Sequence, residues 1–317
     1  MRTRTIAILS TITISLLFTV TSVEAGVIRT QGGIDQDYVP TGKGWGLPDL
    51  GNKGGQKGAR GGGGGAKKQS SSTGINYHGG PVMLGTTNLY YIWYGNWSGN
   101  NAIPILNNLA LSLGGSPYYN INTTYYDGSN NKVSNAVATP ASTVDSYSRG
   151  TALSDSDVQA IVSNSISSGA LPKDPNGVYM VLTSADVNET SGFCTQYCGW
   201  HTHAKLLNTD IKFAFVGDGS RCPNACSAQS TSPNGNLGAD AMASVIAHEL
   251  EEAVTDPDLN AWYDRRGYEN ADKCAWKFGT VNTASNGSYY NMTLGGYKYL
   301  IQENWVNAGS GGCALSY

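Results

Sequence analysis

Apolar and polar positions along the chain follow two periods. Residues 89–94 (LYYIWY), 177–183 (GVYMVLT) and 211–217 (IKFAFVG) are short, nearly unbroken apolar runs, the pattern of strands covered on both faces. Residues 102–113 and 154–168 repeat apolar positions every three to four residues and are expected helices, the second with Asp155 and Asp157 near its start. The strongest helical stretch is 238–254, closed by Thr255-Asp256-Pro257. Residues 118–126 and 297–302 are expected strands. The order strand, helix, strand, helix, strand, strand, helix, then a loop-rich end, predicts a mixed α/β fold. In it, a mixed sheet is flanked by helices within a single domain.

The N-terminal part departs from this pattern. Residues 1–25 carry Arg2 and Arg4, then an apolar run over 6–20, then Val23-Glu24-Ala25, which is the layout of a cleaved secretory signal peptide. The run is broken by Thr and Ser and falls short of the roughly 20 apolar residues of a membrane span, so no transmembrane anchor is expected after cleavage. Residues 26–73 hold 15 of the 41 glycines and seven Lys/Arg against three Asp. Such a segment buries too little apolar surface to offset its ordering entropy, and is expected to be a disordered, basic tail or spacer. Residues 74–317 hold eleven Lys/Arg against nineteen Asp/Glu and form the folding body. The net charge of −3 gives no basic footprint for nucleic acid. Sequons at Asn96, Asn122, Asn188, Asn286 and Asn291 are candidate glycosylation sites, in keeping with secretion to the extracellular space or the cell wall.

The chemistry-bearing signal is His248-Glu249-Leu250-Glu251-Glu252, an H-E-x-x-E sequence within the predicted helix. His248 and Glu252 are one turn apart on one face, which suits two ligands of one metal ion, and zinc accepts a carboxylate in place of a second His. Glu249 then takes the position of the general base in zinc peptidases. Ala241, Val245, His248 and Glu252 form one stripe; Met242, Ile246, Glu249 and Ala253 form its neighbour. The inward face thus turns from apolar to ionisable. Glu251 is expected to point to solvent. The third ligand is expected to be Glu269, with Asp258 as the alternative and His201 and His203 as a further option. Against this stands an ordinary helix carrying a salt-bridged His and Glu.

Six cysteines, at 194, 198, 222, 226, 274 and 313, are directed by secretion to disulfides rather than to a four-thiolate zinc site. Cys274 is expected to pair with Cys313, and the other four among themselves. Whether each C-x3-C closes on itself or the two cross-link is open. The loops so pinned would carry His201, His203 and Arg221 and wall a cleft.

Several segments in order resemble one family. They are Tyr77-His78-Gly79-Gly80-Pro81, Ile92-Trp93-Tyr94-Gly95, the stretch 181–187 (VLTSADV), the stretch 192–201 (GFCTQYCGWH), Phe213-Ala214-Phe215-Val216-Gly217 and Arg221-Cys222-Pro223-Asn224-Ala225-Cys226, with the terminal Cys313. Over roughly 75–317 the chain resembles the EXORDIUM or phosphate-induced protein family. The resemblance implies a secreted, extracellular or wall-associated protein linked to growth, acting by binding a wall polysaccharide or an extracellular protein. The helix with Asn260-Ala261-Trp262-Tyr263 and Asp272-Lys273-Cys274 is also similar to a divergent zincin, which implies a zinc-dependent metallopeptidase-like hydrolase or a degenerate relative of one.

Overall fold

The computed structural model describes residues 37–40 and 74–317. The core is a seven-stranded mixed sheet. Its strands are β1 (Asp37–Pro40), β2 (Thr87–Tyr94), β3 (Val137–Ala138), β4 (Ser142–Asp145), β5 (Gly177–Thr183), β6 (Tyr197–Leu206) and β7 (Thr209–Gly217). The order is β1-β6-β7-β5-β2-β3, with β4 also on β2. β7, β5, β2, β3 and β4 run parallel to one another; β6 is antiparallel to both β7 and β1. Helices α1 (Ala102–Leu113), α2 (Asp155–Ser167) and α3 (Leu237–Thr255) flank the sheet. Mixed sheet and flanking helices agree with the sequence pattern, because the parallel strands read as continuous apolar runs.

Two expected elements differ. Residues 118–126 contain a 3-10 helix, Tyr119–Thr124, in place of a strand. The Ser116 hydroxyl accepts the Tyr119 N–H at 3.0 Å and starts the turn, which outweighs the strand preference of the tyrosines. At 297–302 only Tyr297–Tyr299 is strand, paired with Met292–Leu294 across Gly295-Gly296. The largest omission of the sequence pattern is β6, where a cysteine-pinned loop was expected. It forms a two-residue hairpin with β7, in which Leu207 and Asn208 take positive φ of 49° and 63°, matching the twist of the flanking strands. β1 lies within the segment expected to be a tail. Asp-Tyr-Val-Pro pairs antiparallel along the outer edge of β6, with Asp37 opposite His201. An edge strand offers unpaired N–H and C=O groups, and these four residues satisfy them. The expected signal peptide and the rest of 26–73 lie outside the described residues.

Three disulfides staple the body. Cys194–Cys222 and Cys198–Cys226 cross-link the two C-x3-C motifs, and Cys274 pairs with Cys313. The first two fix the start of β6 to the helical turn Pro223–Cys226 ahead of α3. The third ties the loop after α3 to the C-terminal hairpin of Asn304–Val306 with Gly312–Ala314. Among the described residues no helix is long and apolar enough to cross a membrane.

Candidate metal centre

α3 is buried along almost its whole length. The Asn236 side chain caps its start by accepting the Ala239 N–H at 3.0 Å. Its end is set by Asp256-Pro257, since the residue before a proline avoids the helical region. Asp256 Oδ1 then accepts the N–H groups of Asn260 and Ala261 at 2.6 and 2.5 Å and turns the chain away. The helix packs on β6 because Gly199 leaves room: a Cβ there would lie 2.5 Å from Val245 Cγ1 and 3.0 Å from Glu249 Oε1. That close approach brings His201, two residues on and on the same face of the sheet, against the second half of the helix.

There the ionisable groups converge, all buried. His201 Nδ1 lies 3.3 Å from Glu249 Oε2 and 3.6 Å from Glu252 Oε2. His248 Nε2 lies 2.9 Å from Glu252 Oε1 and 3.6 Å from Asp272 Oδ1. Glu269 Oε2 faces the other ring nitrogen of His201 at 3.9 Å. Both ring nitrogens of His201, Nε2 of His248, both oxygens of Glu249, Oε2 of Glu252 and Oδ1 of Asp272 make no hydrogen bond. Around His248, two outer contacts hold the geometry. The Gln302 side-chain amide meets Nδ1 at 2.6 Å, and the Asp272 N–H donates to Glu252 Oε1 at 3.0 Å.

The electrostatics follow from burial beside opposite charge. Burial acts to lower the pKa of His201, but the adjoining Glu249 and Glu252 carboxylates more than reverse it, to about 9. His248 is likewise lifted well above its ordinary value, Glu252 being its main support against burial. Burial raises Glu249 to about 7 against the opposing pull of His201. Asp272 is raised to about 7 by burial and by the Glu252 charge. Glu252 alone drops, to about 2, because His248 and His201 both face it and together outweigh its burial. A carboxylate held between two imidazoles is the pivot of the cluster. The end of a helix, moreover, carries negative partial charge, so three carboxylates packed there need positive charge, and the two imidazoles face them.

The residues expected from sequence are distributed as follows. His248, Glu252 and Glu249 share the centre. Glu269 is buried beside His201, while Asp272 takes the place next to His248 and Glu252. Asp258 stands apart, with Lys212 Nζ at 3.1 Å and His203 Nδ1 at 3.7 Å. Glu251 corrects the solvent-facing expectation: it is buried, accepts from Asn304 Nδ2 at 2.6 Å, and burial raises its pKa well above normal. The helix has no solvent face at this turn because the 3-10 helix and the C-terminal hairpin cover its third side. Among the sequons, Asn96 and Asn286 are exposed and Asn122 is fully buried.

The family model described as "Phosphate-induced protein 1 conserved region" matches residues 75–314, nearly all of the body at 74–317 and the whole of the centre. The chain belongs to this family. Its relatives include the Arabidopsis thaliana "Protein EXORDIUM-like 5", 32% identical over 73% of this chain and 75% of the relative. "Protein EXORDIUM-like 3" of the same plant is 30% identical over 73% of this chain and 80% of that protein. The Nicotiana tabacum "Protein PHOSPHATE-INDUCED 1" is 23% identical over 72% and 83%. No solved structure matches the chain.

Proposed function

We propose that this family member is a secreted, extracellular or wall-associated zinc-dependent hydrolase of the peptidase type. His248, Glu252 and Asp272 hold the ion in this reading, and Glu249 is the proton-accepting carboxylate. One observation carries the reading. The ligand-type atoms lie 2.9–3.6 Å apart, fully buried, and both His201 ring nitrogens, His248 Nε2, Glu252 Oε2 and Asp272 Oδ1 are left without a hydrogen-bond partner. Donors bound to one tetrahedral zinc at ~2.0–2.1 Å are ~3.3 Å apart, so the spacing is that of lone pairs aimed at a shared ion.

Zinc in such a site lowers the pKa of a bound water and polarises a carbonyl. The chain's own part is to position and to move protons. Gln302 orients the His248 ring through Nδ1, and Glu249, backed by His201, takes and returns a proton. A small cavity of about 20 Å³, room for about one water, is lined by Gln229, Asp240, Ser244, Trp276 and Gln302 among others and lies behind the Gln302 side of the centre. The test is hydrolysis of a fluorogenic peptide library by purified secreted protein, wild type against Glu249→Gln. General-base loss predicts a fall of about 10²-fold or more, with the ion held by His248, Glu252 and Asp272 retained. Equal turnover by both forms would sink the reading.

A second reading has its own support. Every ligand candidate is buried, and closed zinc sites are structural. In that case the ion stabilises a binding protein for wall polysaccharide or an extracellular partner. Zinc content without turnover, together with pull-down of a wall polymer, selects it.

A further inference from the structure

The centre holds more than one ion needs. Two triads of ligand-type atoms lie side by side, His201–Glu249–Glu252 and His248–Glu252–Asp272, and Glu252 belongs to both. It serves them with different atoms. Oε2 faces His201 and Oε1 faces His248. We infer that the centre binds two divalent cations bridged by the Glu252 carboxylate, one in each triad. The inference rests on the metal reading above and extends it from one ion to a pair.

Three observations point the same way. First, His201 is fully buried with both ring nitrogens free of hydrogen bonds, although it stands outside the His248 triad, so a single ion at His248 leaves it unexplained. Second, the nitrogen turned away from its triad faces a polar group in each imidazole: Gln302 meets His248 Nδ1 at 2.6 Å, and the Glu269 carboxylate stands 3.9 Å from His201 Nε2. Metal-bound histidines characteristically have such a partner, which fixes the ring. Third, Glu249, Glu252 and Asp272 are all buried, and the basic groups at ion-pair distance from them among the described residues are the two histidines. A metal on the imidazoles displaces their protons, so the carboxylates must then be compensated by the ions: one dication leaves one of the three charges over, and a second takes it up. Carboxylate-bridged pairs of this kind sit ~3.5–4 Å apart, a separation that the two oxygens of one side chain can span. Glu249 contributes Oε2 to the His201 triad and keeps Oε1 for the proton role assigned above.

The experiment is metal stoichiometry of the full-length secreted protein, loaded with zinc, dialysed and measured by plasma mass spectrometry. The expected result is about two zinc ions per chain, about one in both His201→Ala and Asp272→Ala, and none in Glu252→Ala. One ion in wild type, unchanged in His201→Ala and lost in Asp272→Ala, overturns the pair and leaves the one-ion hydrolase standing. No ion in wild type overturns both. Should the variants fail to fold, the wild type decides alone. Loaded with manganese(II), a bridged pair gives an exchange-coupled multiline paramagnetic resonance spectrum, and a single ion the simple six-line one.

Discussion

Two charged clusters sit on the same face of β6, two residues apart, and they settle their charge in opposite ways. Around His203, which is partly exposed, Asp210 and Asp258 find Lys212: His203 Nδ1 is 2.9 Å from Asp210 and Lys212 Nζ is 3.1 Å from Asp258. Water and a lysine complete that cluster. Around His201 the carboxylates are more numerous and fully buried. The basic groups at ion-pair distance from Glu249, Glu252 and Asp272 among the described residues are the two histidines. The outer cluster is an ordinary surface network. The inner one has the ligand types and spacing of the outer without its lysine. Burial, not residue type, is what sets the proposed metal centre apart from the outer ion network.

The comparison breaks most sharply on metal removal. Chelation of the purified protein should lower its melting temperature by about 10 °C. An ion present at about 1,000 times its dissociation constant is worth about 4 kcal/mol, and each kcal/mol moves a domain of this size by about 2–4 °C. Differential scanning calorimetry with and without chelator measures it; an unmoved transition would place the inner cluster with the outer. An intermediate effect is expected from Gly199→Ala, whose new Cβ would meet Val245 Cγ1 at 2.5 Å and the Phe215 carbonyl oxygen at 2.8 Å. The carbonyl belongs to the neighbouring strand and cannot yield, so overpacking should cost about 1–3 kcal/mol in urea unfolding and weaken zinc retention by moving helix from strand. The smallest effect belongs to the outer cluster. Burial acts to raise the pKa of Asp210, but Lys212 and His203 outweigh it and lower it below its ordinary 3.8. A depressed carboxylate stabilises the fold above its unfolded pKa, and the benefit fades as the pH falls through the folded value. Asp210→Asn should thus cost less than about 1 kcal/mol at neutral pH, and its gap to wild type should close in acid below the unfolded value.

Much of this was legible in the sequence. The apolar strands at 89–94, 177–183 and 211–217, the flanking helices and the inward face of His248, Glu249 and Glu252 follow from periodicity, and Cys274–Cys313 is the pair left over from the two C-x3-C motifs. β6 escaped because its cysteines and histidines suggest a pinned loop. Its alternation was nevertheless present: Gly199, His201 and His203 lie on one face, Cys198 and Trp200 on the other. Strands buried on both faces hide that alternation when one face is lined by polar groups that meet ionisable partners. Asp272 escaped as a ligand candidate because its position depends on the turn before Cys274, which long-range pairing with Cys313 fixes and local sequence does not. Glu251 misled because a helix covered on three sides has no polar face to predict.

The strand Asp37–Pro40 bears on how pieces of this chain would behave. Cut away everything before Gly74 and β6 loses its neighbour, leaving a row of amide and carbonyl groups along the sheet's open border. Sheets with such borders lengthen by recruiting whatever extended backbone they meet, including a second copy of themselves. A shortened protein would therefore differ from the long one in company rather than in fold, and a few residues of unremarkable sequence would decide whether it stays alone.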